Sequence, residues 1–259
     1  VIIDNRQKIT NLTKEQIIKI CNRNFLGCDQ LILIEKDKSA DAFLKFYNSD
    51  GGESGACGNG TRCVADLISK EVNNKSIVFK TISGYLRSEI LGNKIVTTEI
   101  GKAKTEWNEI PLSEKLNTKN LNIKISDKDN KEHSGGTAVN VGNPHIIFFV
   151  NKIDNFDIKK IGPNIENHKI FPERCNVTIA QVVDENLIKV KVWERGAGLT
   201  KACGTAACAT AFAGKLNNLT NNKTDIEFED GKLTISIDEK NSIHMKGPVS
   251  DIKEIEIKL

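Results

Sequence analysis

Ala56-Cys57-Gly58-Asn59-Gly60-Thr61-Arg62-Cys63 and Ala202-Cys203-Gly204-Thr205-Ala206-Ala207-Cys208 read as two copies of one device, 146 residues apart. With that offset held, Tyr47-Asn48 falls on Trp193-Glu194, Gly52 on Gly198 and Ala65 on Ala211. Each copy runs strand, glycine-rich loop, Ala-Cys-Gly, helix. Recurrence of the whole order at one spacing argues for two homologous domains facing each other.

Working outward, the remaining patterns are short strands with few helices. Leu12 to Ile17 opens a helix: Thr13 is the N-cap, Gln16 completes a capping box, and Leu12 staples Ile17. That helix should end near Asn22 or Arg23. Leu31–Glu35, Ala42–Tyr47, Ile77–Thr81, Leu86–Leu91 and Lys94–Ile100 read as strands. The same texture recurs from Ile125 to Val150 and at Ile188–Trp193, Asp225–Phe228, Leu233–Ile237 and Ser242–Met245. Further helices are expected after Cys57, near Ile158–Ile165 and after Cys203. Many strands around few helices predict a mixed α+β fold with largely antiparallel sheets. The domain break is expected near Gly101 to Ile110, where strand patterning stops. This gives residues 1–105 and 106–247, with a last strand at about 248–259 returning to the first domain.

Composition narrows the class. The 259 residues carry 37 Lys and Arg against 34 Asp and Glu, spread without a dense basic block, and only 5% are aromatic. A stacking groove for nucleic acid is therefore not expected. The longest clearly apolar run, Ile146 to Val150, is far short of the ~20 residues of a membrane span. Seven cysteines are an odd number and include no CxxC pair, which fits reduced thiols in a cytoplasmic protein rather than a disulfide scaffold or zinc ribbon. The chain opens Val1-Ile2-Ile3-Asp4, without an initiator Met and as if inside a strand.

A cysteine in the first turn of a helix meets backbone N–H groups without intrahelical partners and the positive end of the helix dipole. Both favour thiolate over thiol. The same N–H groups can hold a carboxylate. Two such devices around one carboxylate-bearing carbon make a machine that removes a proton from one face and delivers one to the other, without an organic cofactor. Cys63 and Cys208 lie about 120° and 140° around their helices from Cys57 and Cys203, so they read as core. Cys21, Cys28 and Cys175 read likewise. Taken without context, Asn48 is a turn residue, His145 a packed histidine and Glu194-Arg195 a solvated pair.

At these residues a resemblance emerges. Phe46 to Cys63 (FYNSDGGESGACGNGTRC) and Trp193 to Ala209 (WERGAGLTKACGTAACA) resemble the two signatures of the diaminopimelate epimerase family. Asn140 to His145 (NVGNPH), Phe171 to Val177 (FPERCNV) and Cys28 to Glu35 (CDQLILIE) extend it. The resemblance implies two pseudo-symmetric α+β domains, each a curved, mostly antiparallel sheet around a central helix, with the substrate in a cleft between them. It implies cofactor-independent, two-base epimerisation of LL- to meso-diaminopimelate, which supplies lysine and peptidoglycan precursors, in a cytoplasmic homodimer with no cofactor and no metal. Cys57 and Cys203 match the catalytic thiols, supported by His145 and Glu194. Gln30, Asn48, Asn143 and Asn176 match substrate-binding positions, Gly58-Asn59 and Gly204-Thr205 the helix starts that hold the reacting carboxylate, Arg195 the grip on the distal carboxylate and Glu194 the ammonium side.

The sequence departs from the family pattern at Leu199, where Glu is usual, and at Ala206, where a second Gly is usual. The family's H-G-x-G-N-D-F segment, whose asparagine contacts substrate, would precede Val1. Two other readings stand beside this one: a proline- or histidine-type two-thiol racemase, and a non-catalytic metal- or ligand-binding protein using Cys57, Cys63, Cys203 and Cys208.

Overall fold

The computed structural model describes residues 1–7, 10–22, 24–26, 28, 30–55 and 57–257. Ala56 of the first signature and Arg23, the far end expected for the first helix, lie outside the described residues. The chain forms two compact units, residues 1–99 with 247–259, and residues 100–246.

Unit 1 begins with β1 (Ile2–Asp4) and α1 (Lys14–Ile20), followed by β2 (Gln30–Glu35), β3 (Ala42–Asn48) and β4 (Glu53–Ser54). Then come α2 (Gly58–Val72), β5 (Ser76–Thr81), β6 (Gly84–Gly92) and β7 (Ile95–Lys102). The capping box of α1 is formed. Thr13 N donates to Gln16 Oε1 at 2.9 Å and Gln16 N to Thr13 Oγ1 at 3.3 Å. The helix stops at Ile20, shorter than the sequence suggests, with Cys21 as its C-cap. β1 pairs parallel with β2, β2 antiparallel with β3, β3 parallel with β5 across α2, β5 antiparallel with β6, and β6 antiparallel with β7. β7 is unbroken across Glu99 and Ile100, so strand patterning outlasts the unit boundary.

Unit 2 contains a separate hairpin, β8 (Ile123–Ser126) with β9 (Glu132–Gly135). Its main sheet is made from β10 (Thr137–Asn140), β11 (Pro144–Phe149), β12 (Asn176–Asp184), β13 (Leu187–Glu194), β15 (Lys223–Phe228), β16 (Gly231–Ile237) and β17 (Ser242–Pro248). β14 (Gly198–Thr200) adds a short edge on β13. α3 (Ile158–Glu166) precedes β12, and α4 (Gly204–Leu216) precedes β15. β12, absent from the sequence reading, is continuously buried from Asn176 to Ala180, so it shows no alternation.

The two units share one wiring. From β11 onward the pairings run parallel, antiparallel, parallel across α4, antiparallel, antiparallel. That is the order found from β1 to β7. The offset of 146 sets Gln30, the first residue of β2, on Asn176, the first residue of β12. The two central helices differ in environment. α4 is apolar almost all round and buried from Ala206 to Gly214, packed against β10, β11, β12, β15 and β16. α2 buries Val64, Ala65 and Ile68 with β2, β3 and β5 residues.

The final strand expected at about 248–259 does not form. β17 ends at Pro248, which has no N–H for a ladder, and residues 249–257 carry no strand. The described residues from 249 onward cluster with unit 1. Val249 N donates to Lys94 O at 2.9 Å, its side chain joins the unit 1 core, and Lys94 pairs with Asp251. Among the described residues, no helix is long and apolar enough to cross a membrane.

Candidate active site

Cys57 and Cys203 occupy the same local structure. Each is the N-cap of its helix, one step before the first turn, with φ/ψ of −142°/101° and −141°/112°. An extended N-cap leaves the following N–H groups pointing out of the helix start. At Cys57 the thiol acts as the cap, with Gly60 N donating to Sγ at 3.3 Å. Thr61 fastens the turn from behind, through N and Oγ1 to Cys57 O, both at 2.8 Å. Gly60 is needed for packing. A Cβ there would stand 2.3 Å from Ile32 Cδ1 and 3.2 Å from Cys57 Sγ. The residue at the equivalent position in unit 2 is Ala206, itself buried, so there the family's missing glycine is replaced by a methyl that fits.

Cys203 Sγ lies 3.4 Å from Thr205 Oγ1 and is almost wholly buried. Its thiol is pushed well above the ordinary range, first by burial and then by the charge of Glu194, against opposing contacts from Thr205 and the Ala206 backbone. The expectation that the helix start would favour thiolate is thus corrected for Cys203. Desolvation outweighs a partial dipole charge, so Cys203 stands as a thiol. Cys63 and Cys175 are also held up by burial, and Cys21 is pushed up to about 11 by burial and neighbouring Cys28. None of the seven cysteines is joined in a disulfide.

The asparagines come from strand ends. Gln30 and Asn48 are cross-strand partners on β2 and β3, with Gln30 Nε2 donating to Asn48 Oδ1 at 2.9 Å. In unit 2 the equivalent positions carry Asn176 and Glu194. Asn176 is buried, donates to Pro144 O at 3.0 Å and accepts Arg195 N at 3.0 Å. Arg195 is half-buried and donates from Nη1 to Glu173 O at 2.8 Å. Asn143 Oδ1 lies 2.8 Å from His145 Nε2, and Asn176 Nδ2 lies 3.5 Å from the same nitrogen. His145 is fully buried and its pKa is lowered to about 3, by burial first and by Arg195 second. A neutral ring with hydrogen on Nε2 satisfies Asn143 and leaves Nδ1 as a buried acceptor without a hydrogen-bond partner among the described residues. Unit 2 thus links Asn143, His145, Asn176, Glu194, Arg195, Cys203 and Thr205 into one neighbourhood. In unit 1, Asn59 Oδ1 accepts Arg62 Nη2 at 3.1 Å beside Gly58 at the start of α2. Among the described residues, no group of three His, Cys, Asp or Glu side chains is placed to hold a metal ion.

The diaminopimelate epimerase family model matches residues 1–106 and 137–252. A diaminopimelate epimerase of Pelagibacter ubique (strain HTCC1062) is 68% identical over 259 residues, covering 100% of this chain and 94% of that protein. The chain belongs to the diaminopimelate epimerase family. A second epimerase of that name, from Acidiphilium cryptum (strain JF-5), is 38% identical, with 99% and 91% covered. Among solved structures, a PhzF-family phenazine biosynthesis protein of Bacillus anthracis superposes with a TM-score of 0.67 at 15% identity, covering 100% and 92% of the two chains. A hydroxyproline epimerase of Agrobacterium vitis gives 0.61 at 11% identity, covering 90% and 76%. At such identities the likeness concerns the fold, which this epimerase shares.

Within the family frame, one residue near the site went unread in the sequence. Glu166, the last residue of α3, is buried and meets both flanks of the Glu194-Arg195 turn. Its partners are 27 and 30 residues away, so no local pattern marks it. Leu199, in place of the family's usual Glu, is exposed on β14.

Proposed function

We propose that this member of the diaminopimelate epimerase family interconverts LL- and meso-diaminopimelate with Cys57 and Cys203 as the two bases and no organic cofactor. The observation that carries the reading is the matched pair of N-cap cysteines in two units of identical wiring. The protonation states differ between reaction directions. With Cys203 as the thiol, a Cys57 thiolate takes the α-proton: the C–H bond breaks, an S–H bond forms, and the electron pair passes into the carboxylate. The N–H groups at Gly58-Asn59 and Gly204-Thr205 hold that carboxylate as its charge grows. Cys203 then gives its proton to the other face, leaving as thiolate. The reverse reaction begins from that state. Burial of Cys203 makes it a reluctant thiolate, and the short lifetime of that form suits a donor.

Arg195 takes the distal carboxylate, Glu194 the ammonium side, and Gln30, Asn48, Asn143 and Asn176 the remaining polar groups. Recognition of the distal centre separates this substrate from proline-like amino acids. A homodimer in a reducing cytoplasm completes the reading, and seven cysteines without a disulfide suit that compartment. The test is solvent deuterium incorporation at the α-carbon of LL-diaminopimelate, with proline as control. Cys57→Ala and Cys203→Ala should each abolish epimerisation, and Arg195→Lys, which keeps charge but loses the fork, should raise KM strongly. Retained turnover in either alanine variant, or preference for proline, refutes it.

A further inference from the structure

Glu166 is a buried carboxylate with three donors. Oε2 accepts Trp193 Nε1 at 2.7 Å, while Oε1 accepts Gly196 N at 2.9 Å and Arg174 Nη1 at 3.1 Å. Its side chain is only 7% exposed, and Arg174 supplies the opposite charge. Trp193 and Gly196 are the residues immediately before and after Glu194-Arg195. One carboxylate therefore grips both sides of the dipeptide that leads from β13 into β14. Asn176 holds the Arg195 backbone from the other direction. Close packing stiffens the clamp: a Cβ on Gly162 of α3 would lie 2.3 Å from Trp193 Cγ, so helix and indole are in direct contact.

The internal repeat supplies a control for what the fold itself requires. The same offset sets Glu166 on Ile20, each the last residue of its helix, and Trp193 on Tyr47. Ile20 is fully buried, and Tyr47 packs against its cluster. In unit 1, then, an aliphatic residue fills this place and the helix docks on the sheet without a carboxylate. A buried carboxylate is costly without its donors. Its presence only in the unit bearing Glu194 and Arg195 points to the turn it holds.

We infer that Glu166 is a positioning residue that fixes the Glu194-Arg195 turn, and through it the grip on the distal end of the substrate. This rests on the proposed roles of those two residues, so the test separates the two readings. Gly196 is exposed, and its N–H is held by Glu166, so its amide exchange reports the clamp directly, whatever the substrate. In the full chain, Glu166→Gln should speed exchange across Glu194–Gly198 by about tenfold or more while β12 and the core of β13 stay protected. On diaminopimelate, kcat/KM should fall about tenfold to a hundredfold, mostly through KM, as for a binding group displaced by about 1 Å. In an Arg195→Ala background the same change should cost less than about twofold more, because both act on one interaction. Glu166→Ile copies position 20 and should fold, giving the same loss of protection. Unchanged exchange at Gly196, kcat/KM within about twofold of wild type, or full additivity with Arg195→Ala overturns the inference. A wild-type chain that does not turn over diaminopimelate overturns the functional reading, and the exchange data then decide the clamp alone.

Discussion

Acid should unfold this protein through His145. The ring is fully buried, faces Arg195, and has its pKa lowered from 6.5 to about 3. In the unfolded chain it titrates near 6.5, so between those values the unfolded state binds a proton that the folded state refuses. Stability is therefore complete above about pH 6.5 and is lost as pH falls toward 3. At pH 5.0 the mismatch covers one and a half pKa units, each about 1.4 kcal/mol, so His145 alone removes ~2 kcal/mol. That is a large part of the ~5–15 kcal/mol of a typical domain. Urea unfolding at pH 7.5 and 5.0, on wild type and His145→Gln, measures it. All other side chains are the same in both proteins and cancel in the comparison. Wild type should lose ~2 kcal/mol more than the variant over that interval. Equal losses within about 0.5 kcal/mol would mean the ring is hydrated or charged in the native state, and the neutral-His145 account would fall.

Gly60→Ala should destabilise unit 1 by about 1–3 kcal/mol, because the new methyl meets Ile32 and Cys57 Sγ, and overpacking outweighs the gain in helix propensity; a denaturation midpoint at or above wild type would refute the packing argument. Cys203 should alkylate slowly with iodoacetamide at pH 7.5. Glu194→Gln removes a nearby charge that raises its pKa and should speed that reaction, about tenfold per pKa unit regained, as followed by peptide mass spectrometry; an unchanged rate would show that Glu194 does not set the thiol.

The duplicated Ala-Cys-Gly was legible because a helix start writes itself locally: small residues, a cap and an apolar run all fall within a dozen positions. The strand periodicities of unit 1 were equally local. β12 was not, since its first five residues are buried on both faces and show no alternation. The high pKa of Cys203 was also hidden, because it depends on how deeply α4 is enclosed by five strands, a property of the assembled sheet. Glu166 sits in a segment whose residues read as helix, and its donors arrive from another strand and loop. His145 was visible as a candidate only through NVGNPH, while its burial and neutral state come from packing.

The route of the chain sets an order on biosynthesis. Unit 2 is one uninterrupted stretch, 100–246, whereas unit 1 is made from both ends, with Val249 closing a core built by residues near the start. During synthesis at ~5–20 residues per second, domains that emerge first ordinarily fold first. Here that rule inverts. The helix bearing Cys203 can be seated as soon as residue 246 is free, while the earlier-made segment bearing Cys57 waits for the stretch that follows, the Val249–Lys94 bond among its contacts. A nascent chain exposed through residue 246 but not beyond would thus display a finished second half tethered to a first half still open to proteases and chaperones.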